Sequence, residues 1–396
     1  MNLSDYRSNN LELPEPDEAA CAASLRLIAE IRAEMIAAGG RLPFSRFMEL
    51  ALYAPGLGYY SGGSRKFGGA GDFVTAPEVS PVFAQSLARQ CLQVAAETGV
   101  TDIMEFGAGS GILALELMAE LQRLGQLPER YLIVELSAEL RHRQRELLSV
   151  RRPDLLPRVQ WLDYLPEVFD GVVIANEVLD AMPVTGFRLE QGRLLEQFVE
   201  TDGESFSLCW DAPQTPGLMA AVEGLFAGDL PDDYQSEVNL NLVPWVETLG
   251  AMVNSGLVLL IDYGYGRSEY YHRQRDRGTL MCHYRHRAHS DPLVYPGLQD
   301  ITANVDFTAV AEAGLGAGFE LAGYTSQAFF LMGCGLDQIV AASDPDDASA
   351  HLDLVQGVKR LTLPTEMGER FKVMGLSKGL KAPLIGFSLR QQRERL

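Results

Sequence analysis

Glu105-Phe106-Gly107-Ala108-Gly109-Ser110-Gly111 is the stretch whose reading decides the fold. It follows a short apolar run and precedes Ile112-Leu113-Ala114-Leu115-Glu116-Leu117, so a strand ends, a glycine-rich turn follows and a helix opens. Glycine has no Cβ, takes backbone angles closed to other residues and lets a ligand lie against the main chain. The turn therefore suits a nucleotide-like cofactor. Spacing narrows the choice: a dinucleotide fingerprint reads G-x-G-x-x-G, whereas Gly107, Gly109 and Gly111 alternate and follow an acid, Glu105. These residues alone are also compatible with a glycine turn of purely structural purpose.

A second landmark stands where a cofactor ribose would need it. Tyr131-Leu132-Ile133-Val134 reads as a buried strand with Glu135 at its carboxyl end, about twenty-odd residues beyond the turn, where doubly wound folds place a ribose-binding acid. A carboxylate there can accept from both hydroxyls of the diol, each bond to a charged group contributing roughly 1.5–3 kcal/mol. A solvated acid at a strand end would look the same in isolation. The acid-x-Gly-x-Gly-x-Gly pattern resembles motif I of the class I S-adenosylmethionine-dependent methyltransferases.

The chain has 396 residues, enough for one large domain with inserts or for two domains. Hydrophobic residues at 47% and charged residues at 22% match a globular protein with a sizeable core. No apolar run approaches the roughly 18–20 residues of a membrane span, and the opening MNLSDYRSNNLELPEPDEAA lacks signal-peptide order and is too acidic for a mitochondrial transit peptide. With five scattered cysteines and no C-x-x-C pair, neither a disulfide framework nor a cysteine zinc site is suggested, and the chain reads as cytoplasmic. A net charge of −20 argues against nucleic acid and favours a basic partner such as an Arg- or Lys-bearing protein.

Organisation follows from periodicity. A helix is expected from about Ala19 to Ala38, capped by Asp17 and stopped by Gly39-Gly40, and a second after Ser45 up to Pro55. Seven glycines between Gly56 and Gly71, with Tyr59, Tyr60, Arg65, Lys66 and Phe67, then GDFVTAPEVSPVF from Gly71, suggest a functional lid; a tight path packed by its aromatics is the alternative. The expected division is an N-terminal helical and lid segment, 1–80, and a core, 81–396, with an insertion at about 187–250. Core strands are expected near 102–106, 131–135, 158–162, 171–175 and 257–262, forming a parallel α/β sheet. Phe319–Leu331 and Pro383–Leu389 are expected as final antiparallel strands.

In an open parallel sheet, ligands sit beyond the carboxyl ends of the strands. After the third strand, Asp163 could accept from an adenine amino group while an apolar neighbour covers the ring, or be an ordinary loop acid. The fourth runs into Asn176-Glu177-Val178-Leu179-Asp180, where a methyl acceptor should lie. Glu177 and Asp180, three residues apart, would share one side of a helical turn and grip a cationic acceptor, or cap a following helix. For an arginine acceptor, full deprotonation at pH 7 would cost roughly 7–8 kcal/mol, so carboxylates that localise the guanidinium charge are needed, Glu177 first. Asp262-Tyr263, after the fifth strand, could orient substrate or satisfy a turn. Cys282-His283-Tyr284-Arg285-His286-Arg287-Ala288-His289 reads as a substrate-facing loop, because its arginines would repel a metal cation. Asp306 is expected to open a helix.

Taken together, GDFVTAPEVSPVF, EFGAGSG, ANEVLDAMPV, IDYGYG, DITANVDF and ERFKVMGLSKG resemble the MidA-like methyltransferase family, in order, over about Phe44 to Phe387. The family includes a mitochondrial complex I assembly methyltransferase. The resemblance implies a Rossmann-like class I core with a seven-stranded, mostly parallel sheet, S-adenosylmethionine as cofactor, and protein arginine methylation, with a respiratory-complex subunit as one candidate acceptor. By motif position, Gly107, Gly109, Gly111 and Glu135 carry the cofactor role, and Thr75, Pro77, Glu78, Asn176, Glu177 and Asp180 line the reaction site. Small-molecule N- or O-methylation and a non-catalytic cofactor-binding assembly role stay open, as does the oligomeric state, homodimer included.

Overall fold

Ile103–Phe106, four residues all buried, forms an interior strand of the main sheet, between Phe169–Asn176 and Tyr131–Val134. The computed structural model describes residues 13–62, 74–226, 231–344 and 347–396. Along the sheet the strands run Glu320–Ser326, Phe371–Lys378, Val253–Tyr265, Phe169–Asn176, Ile103–Phe106, Tyr131–Val134 and Val159–Leu162. The last five pair in parallel, and Phe371–Lys378 is antiparallel to both of its neighbours. A two-residue strand, Val305–Asp306, adds to the end of Val253–Tyr265, making eight strands among the described residues where seven were expected.

All five parallel strands lie where the apolar runs place them. Strand order reverses between Ile103–Phe106 and Phe169–Asn176, and such a reversal opens a crevice at the carboxyl ends of the two strands. The glycine turn and Asn176 stand at those ends, because Phe106 pairs with Ala175.

The sheet's antiparallel edge corrects the sequence reading. Its interior member is Phe371–Lys378, not Pro383–Leu389, of which Ile385–Phe387 is a single 3-10 turn. Gly323 and Gly375 face each other across the last two strands, and Phe387 lies over both, filling the space their missing side chains leave. Glu320–Ser326 also stops sooner than expected, since Gln327–Gly333 is a helix.

The chain forms two compact units. The one carrying the large sheet comprises Val74–Leu179, Val243–Gly266 and Val305–Leu396. The other draws on residues 13–62, Asp180–Leu242 and Arg267–Asn304. In the latter, Asp17 caps helix Glu18–Ala37 by accepting from the Ala20 amide, and Leu27, Ile28, Ile31 and Met35 are buried along one stripe. Thr185–Glu190 and Arg193–Thr201 form a hairpin whose two turn residues, Gln191 and Gly192, both have positive φ, the geometry that suits a two-residue connection. Phe206–Asp211, Tyr234–Val238 and the distant Arg41–Pro43 complete that sheet. Helix Leu242–Met252 leads straight into Val253–Tyr265. Met281–Tyr284 and Arg287–His289 form a hairpin turning at Arg285 and His286, where a loop was expected. The lid expectation for Gly56–Gly71 falls largely on residues 63–73, outside the described residues.

Candidate active site

The glycine turn adopts the geometry its composition requires. Gly107, Gly109 and Gly111 have φ of 62°, 52° and 83°, all in the left-handed region that L side chains avoid at a cost of about 1–2 kcal/mol. The Gly107 amide donates to Val134 O, tying the turn to the neighbouring strand, and the Gly111 amide donates to Ala108 O. A Cβ at Gly107 would lie 3.2 Å from Val178 Cγ2, so the turn passes close to the loop beyond the fourth parallel strand. At Gly111 it would meet Gln144, 3.1 Å from Cγ and 3.3 Å from Cα.

Glu135 is buried at the end of Tyr131–Val134. Its Oε1 accepts from the Ser137 amide at 3.0 Å and its Oε2 from Gln144 Nε2 at 3.2 Å. Burial pushes its carboxyl above the ordinary range, while Ser137, Gln144 and the charge of Arg141 pull it back part of the way. Arg141 spans two strand ends, donating to Glu135 O, Leu162 O and Asp163 Oδ1. Asp163 thus sits in an ion pair, with its side chain 75% exposed. Glu105, within its strand and buried, accepts from Tyr131 Oη at 2.7 Å. Burial pushes its carboxyl up to about 7; the tyrosine hydroxyl opposes the rise, and the negative charge of Glu135 adds to it.

Beyond the fourth parallel strand, Asn176 Nδ2 donates to Glu177 Oε1 at 3.0 Å, and Asn176 Oδ1 is buried without a hydrogen-bond partner. The Glu177 amide donates to Ile261 O, and Glu177 has φ of 53°. A non-glycine residue in this region is strained, and such strain collects at functional positions. Asp262, 1% exposed, holds the loop: Oδ2 accepts from the Leu179 amide at 2.9 Å and Oδ1 from the Tyr263 amide at 2.8 Å. The Tyr263 ring packs on Phe371.

No helix joins Glu177 and Asp180. Residues 177–182 form a bend and a turn, since the left-handed angle at Glu177 breaks any helical run and Asp262 captures the Leu179 amide. The two carboxylates therefore do not share a side of a helical turn, nor do they cap a following helix. Asp180 is buried in the other unit, where its carbonyl accepts from the Ala303 amide.

Thr75, Pro77 and Glu78 belong to the short helix Ala76–Val79 and its N-cap, packed against helix Ile112–Arg123 that opens from the glycine turn. Thr75 makes no side-chain cap bond, and Pro77 is buried. Two residues near the site escaped the sequence reading, Arg141 and Gln144. Their signal was present: Leu140, Gln144 and Leu148 recur every four residues as the buried stripe of helix Ala138–Arg151, and a glutamine in an apolar stripe needs polar partners.

With this geometry in place, the chain can be set beside known proteins. Residues 86–325 match the model of a family described as S-adenosyl-L-methionine-dependent methyltransferases. A mitochondrial protein arginine methyltransferase NDUFAF7 homolog from Drosophila melanogaster is 29% identical, covering 95% of this chain and 92% of its own. The Danio rerio protein arginine methyltransferase NDUFAF7 is 28% identical over 86% and 84%. A superfamily member from Burkholderia thailandensis, solved with S-adenosyl-homocysteine bound, superposes with a TM-score of 0.93 at 48% identity, covering 97% of this chain and 100% of that one. The mitochondrial designation of the first two overturns the cytoplasmic expectation. Net charge, cysteine count and the character of the opening residues do not decide an address.

Proposed function

This chain belongs to the S-adenosylmethionine-dependent methyltransferase family, and on that premise we propose that it methylates arginine side chains of a protein substrate. The residues fit the cofactor: three left-handed glycines shape the turn after the first parallel strand, and Glu135 is held with acceptor capacity toward a diol. Gly107, Gly109 and Gly111 would cradle it, and Glu135 would hold its ribose. When bound, it supplies a methyl group carried on a sulfonium.

The chain's own contribution lies at the acceptor. The observation that carries the reading is the Asn176-Glu177 pair beside the glycine turn, with Glu177 held in a strained angle and Asn176 Oδ1 buried and unmatched. Because Asn176 Nδ2 donates to the Glu177 carboxylate, its carbonyl oxygen must face elsewhere as an acceptor that calls for an N–H donor. A guanidinium offers N–H groups to both oxygens and a positive charge to Glu177. Drawing that charge toward two of its nitrogens leaves the third richer in electrons. Methylation of that nitrogen releases a proton, which in this reading the Glu177 carboxylate would accept. The net charge of −20 favours approach of a basic polypeptide. The arginine methyltransferase names of the relatives point the same way. A respiratory-complex subunit is the acceptor we favour, on family resemblance.

Purified protein given methyl-labelled S-adenosylmethionine and a basic protein extract should yield methylarginine on acid hydrolysis, and Glu177→Gln should abolish it. Label found in small metabolites alone, with none in polypeptide, would instead establish small-molecule methylation.

A further inference from the structure

Gln144 lies outside every motif considered so far, is fully buried, and uses its whole amide. Its Nε2 donates to Gly109 O at 3.0 Å and to Glu135 Oε2 at 3.2 Å, and its Oε1 accepts from Trp161 Nε1 at 2.8 Å. One side chain thereby touches the glycine turn after the first parallel strand, the acid after the second, and the indole on the third. On purely apolar grounds a leucine would serve the stripe between Leu140 and Leu148 at least as well. We infer that Gln144 is a positioning residue for the cofactor, fixing the Glu135 carboxylate toward a ribose diol.

An ionised carboxylate has about four acceptor positions. Ser137 and Gln144 take one on each oxygen, which orients the group and leaves acceptor capacity on its open side for a vicinal diol. The same donation favours the charged form that burial disfavours. Trp161 is held from two directions, its ring nitrogen by Gln144 and one face by the Arg145 guanidinium 4.5 Å from the ring centroid. Glu135 and Trp161 are thus set by one residue, and neither needs to reorganise when ligand arrives.

The inference rests on placing the cofactor ribose at Glu135, and the test separates the two ideas. Full-length wild type and Gln144→Met, a variant of similar volume without donors, are titrated calorimetrically with S-adenosyl-homocysteine and with its 2′,3′-dideoxy analogue. Methionine should weaken S-adenosyl-homocysteine binding about tenfold or more, the loss expected when a charged hydrogen-bond partner is removed, and should leave the dideoxy analogue within about threefold. Equal weakening of both ligands would overturn the inference, because a residue acting only on stability cannot sense the diol. Should wild type itself fail to distinguish the two ligands, the ribose placement falls and the inference with it. If Gln144→Met does not fold, Gln144→Leu, also without donors, carries the same comparison, with the same pattern expected and the same result overturning it.

Discussion

Glu177 makes two demands that oppose each other, and substitution can separate them. With φ of 53°, any residue bearing a Cβ is strained there by about 1–2 kcal/mol, and glycine is not. Glycine forfeits about 0.5–1 kcal/mol of that advantage to its freer unfolded chain. Glu177→Gly should therefore be more stable than Glu177→Ala by roughly 0.5–1 kcal/mol. Both variants lose the bond from Asn176 Nδ2 equally, so the comparison isolates the backbone. Activity should not follow stability. Two charged hydrogen bonds to a guanidinium contribute roughly 3 kcal/mol or more, so both variants should lose at least about 100-fold in kcat/KM toward an arginine acceptor. S-adenosyl-homocysteine affinity should hold, since Glu135 and the glycine turn follow other strands. Urea unfolding, labelled methyl transfer and calorimetry supply the three readings. An alanine variant as stable as the glycine variant would refute the strain argument, and more than a tenth of the activity left in either would refute the acceptor role.

Other substitutions test the remaining contacts. Gly111→Ala should lose more stability and more S-adenosyl-homocysteine affinity than Gly107→Ala, because its Cβ meets the helix backbone at Gln144 Cα while that of Gly107 meets a movable valine methyl; urea unfolding and calorimetry give the order. Glu105, moved from 4.5 to about 7, is held preferentially in its protonated form, so its stabilising contribution is full below pH 4.5 and lost as pH rises through 7. Glu105→Gln should thus gain on wild type by roughly 3 kcal/mol between pH 4.5 and 8 in urea unfolding, and a pH-independent difference between the two proteins would contradict this. Asp262→Ala strips the Leu179 and Tyr263 amides of their acceptor and frees the loop beyond Glu177. Steady-state assay should show kcat falling about tenfold or more, while calorimetry finds cofactor affinity little changed.

Local signals carried far into this fold. Continuous apolar runs mark strands covered on both faces, and the alternating glycines mark a turn that only glycine can make. Phe371–Lys378 was hidden because Lys372, Gly375 and Lys378 interrupt its apolar character; Lys372 is nonetheless buried, its ammonium donating to Glu369 O. Gln144 was legible only as an oddity in a helical stripe, since its partners come from three separate stretches of chain. The angle at Glu177 left no trace in composition: glutamate has no preference for the left-handed region, and the conformation is imposed by Ile261 and Asp262 far along the chain. The pairing of Arg41–Pro43 with Arg193–Thr201 is likewise non-local, so the boundaries of the two units could not be read from sequence.

The position of Phe371–Lys378 also bears on how the protein is made. A ribosome delivers this strand after both of its sheet neighbours, yet it belongs between Val253–Tyr265 and Glu320–Ser326. Until residue 378 emerges, both flanking strands wait with bare backbone edges, the condition under which nascent chains stick to one another. A chain stopped before Phe371 therefore lacks an interior stave, and what remains is a substrate for chaperones rather than a smaller enzyme.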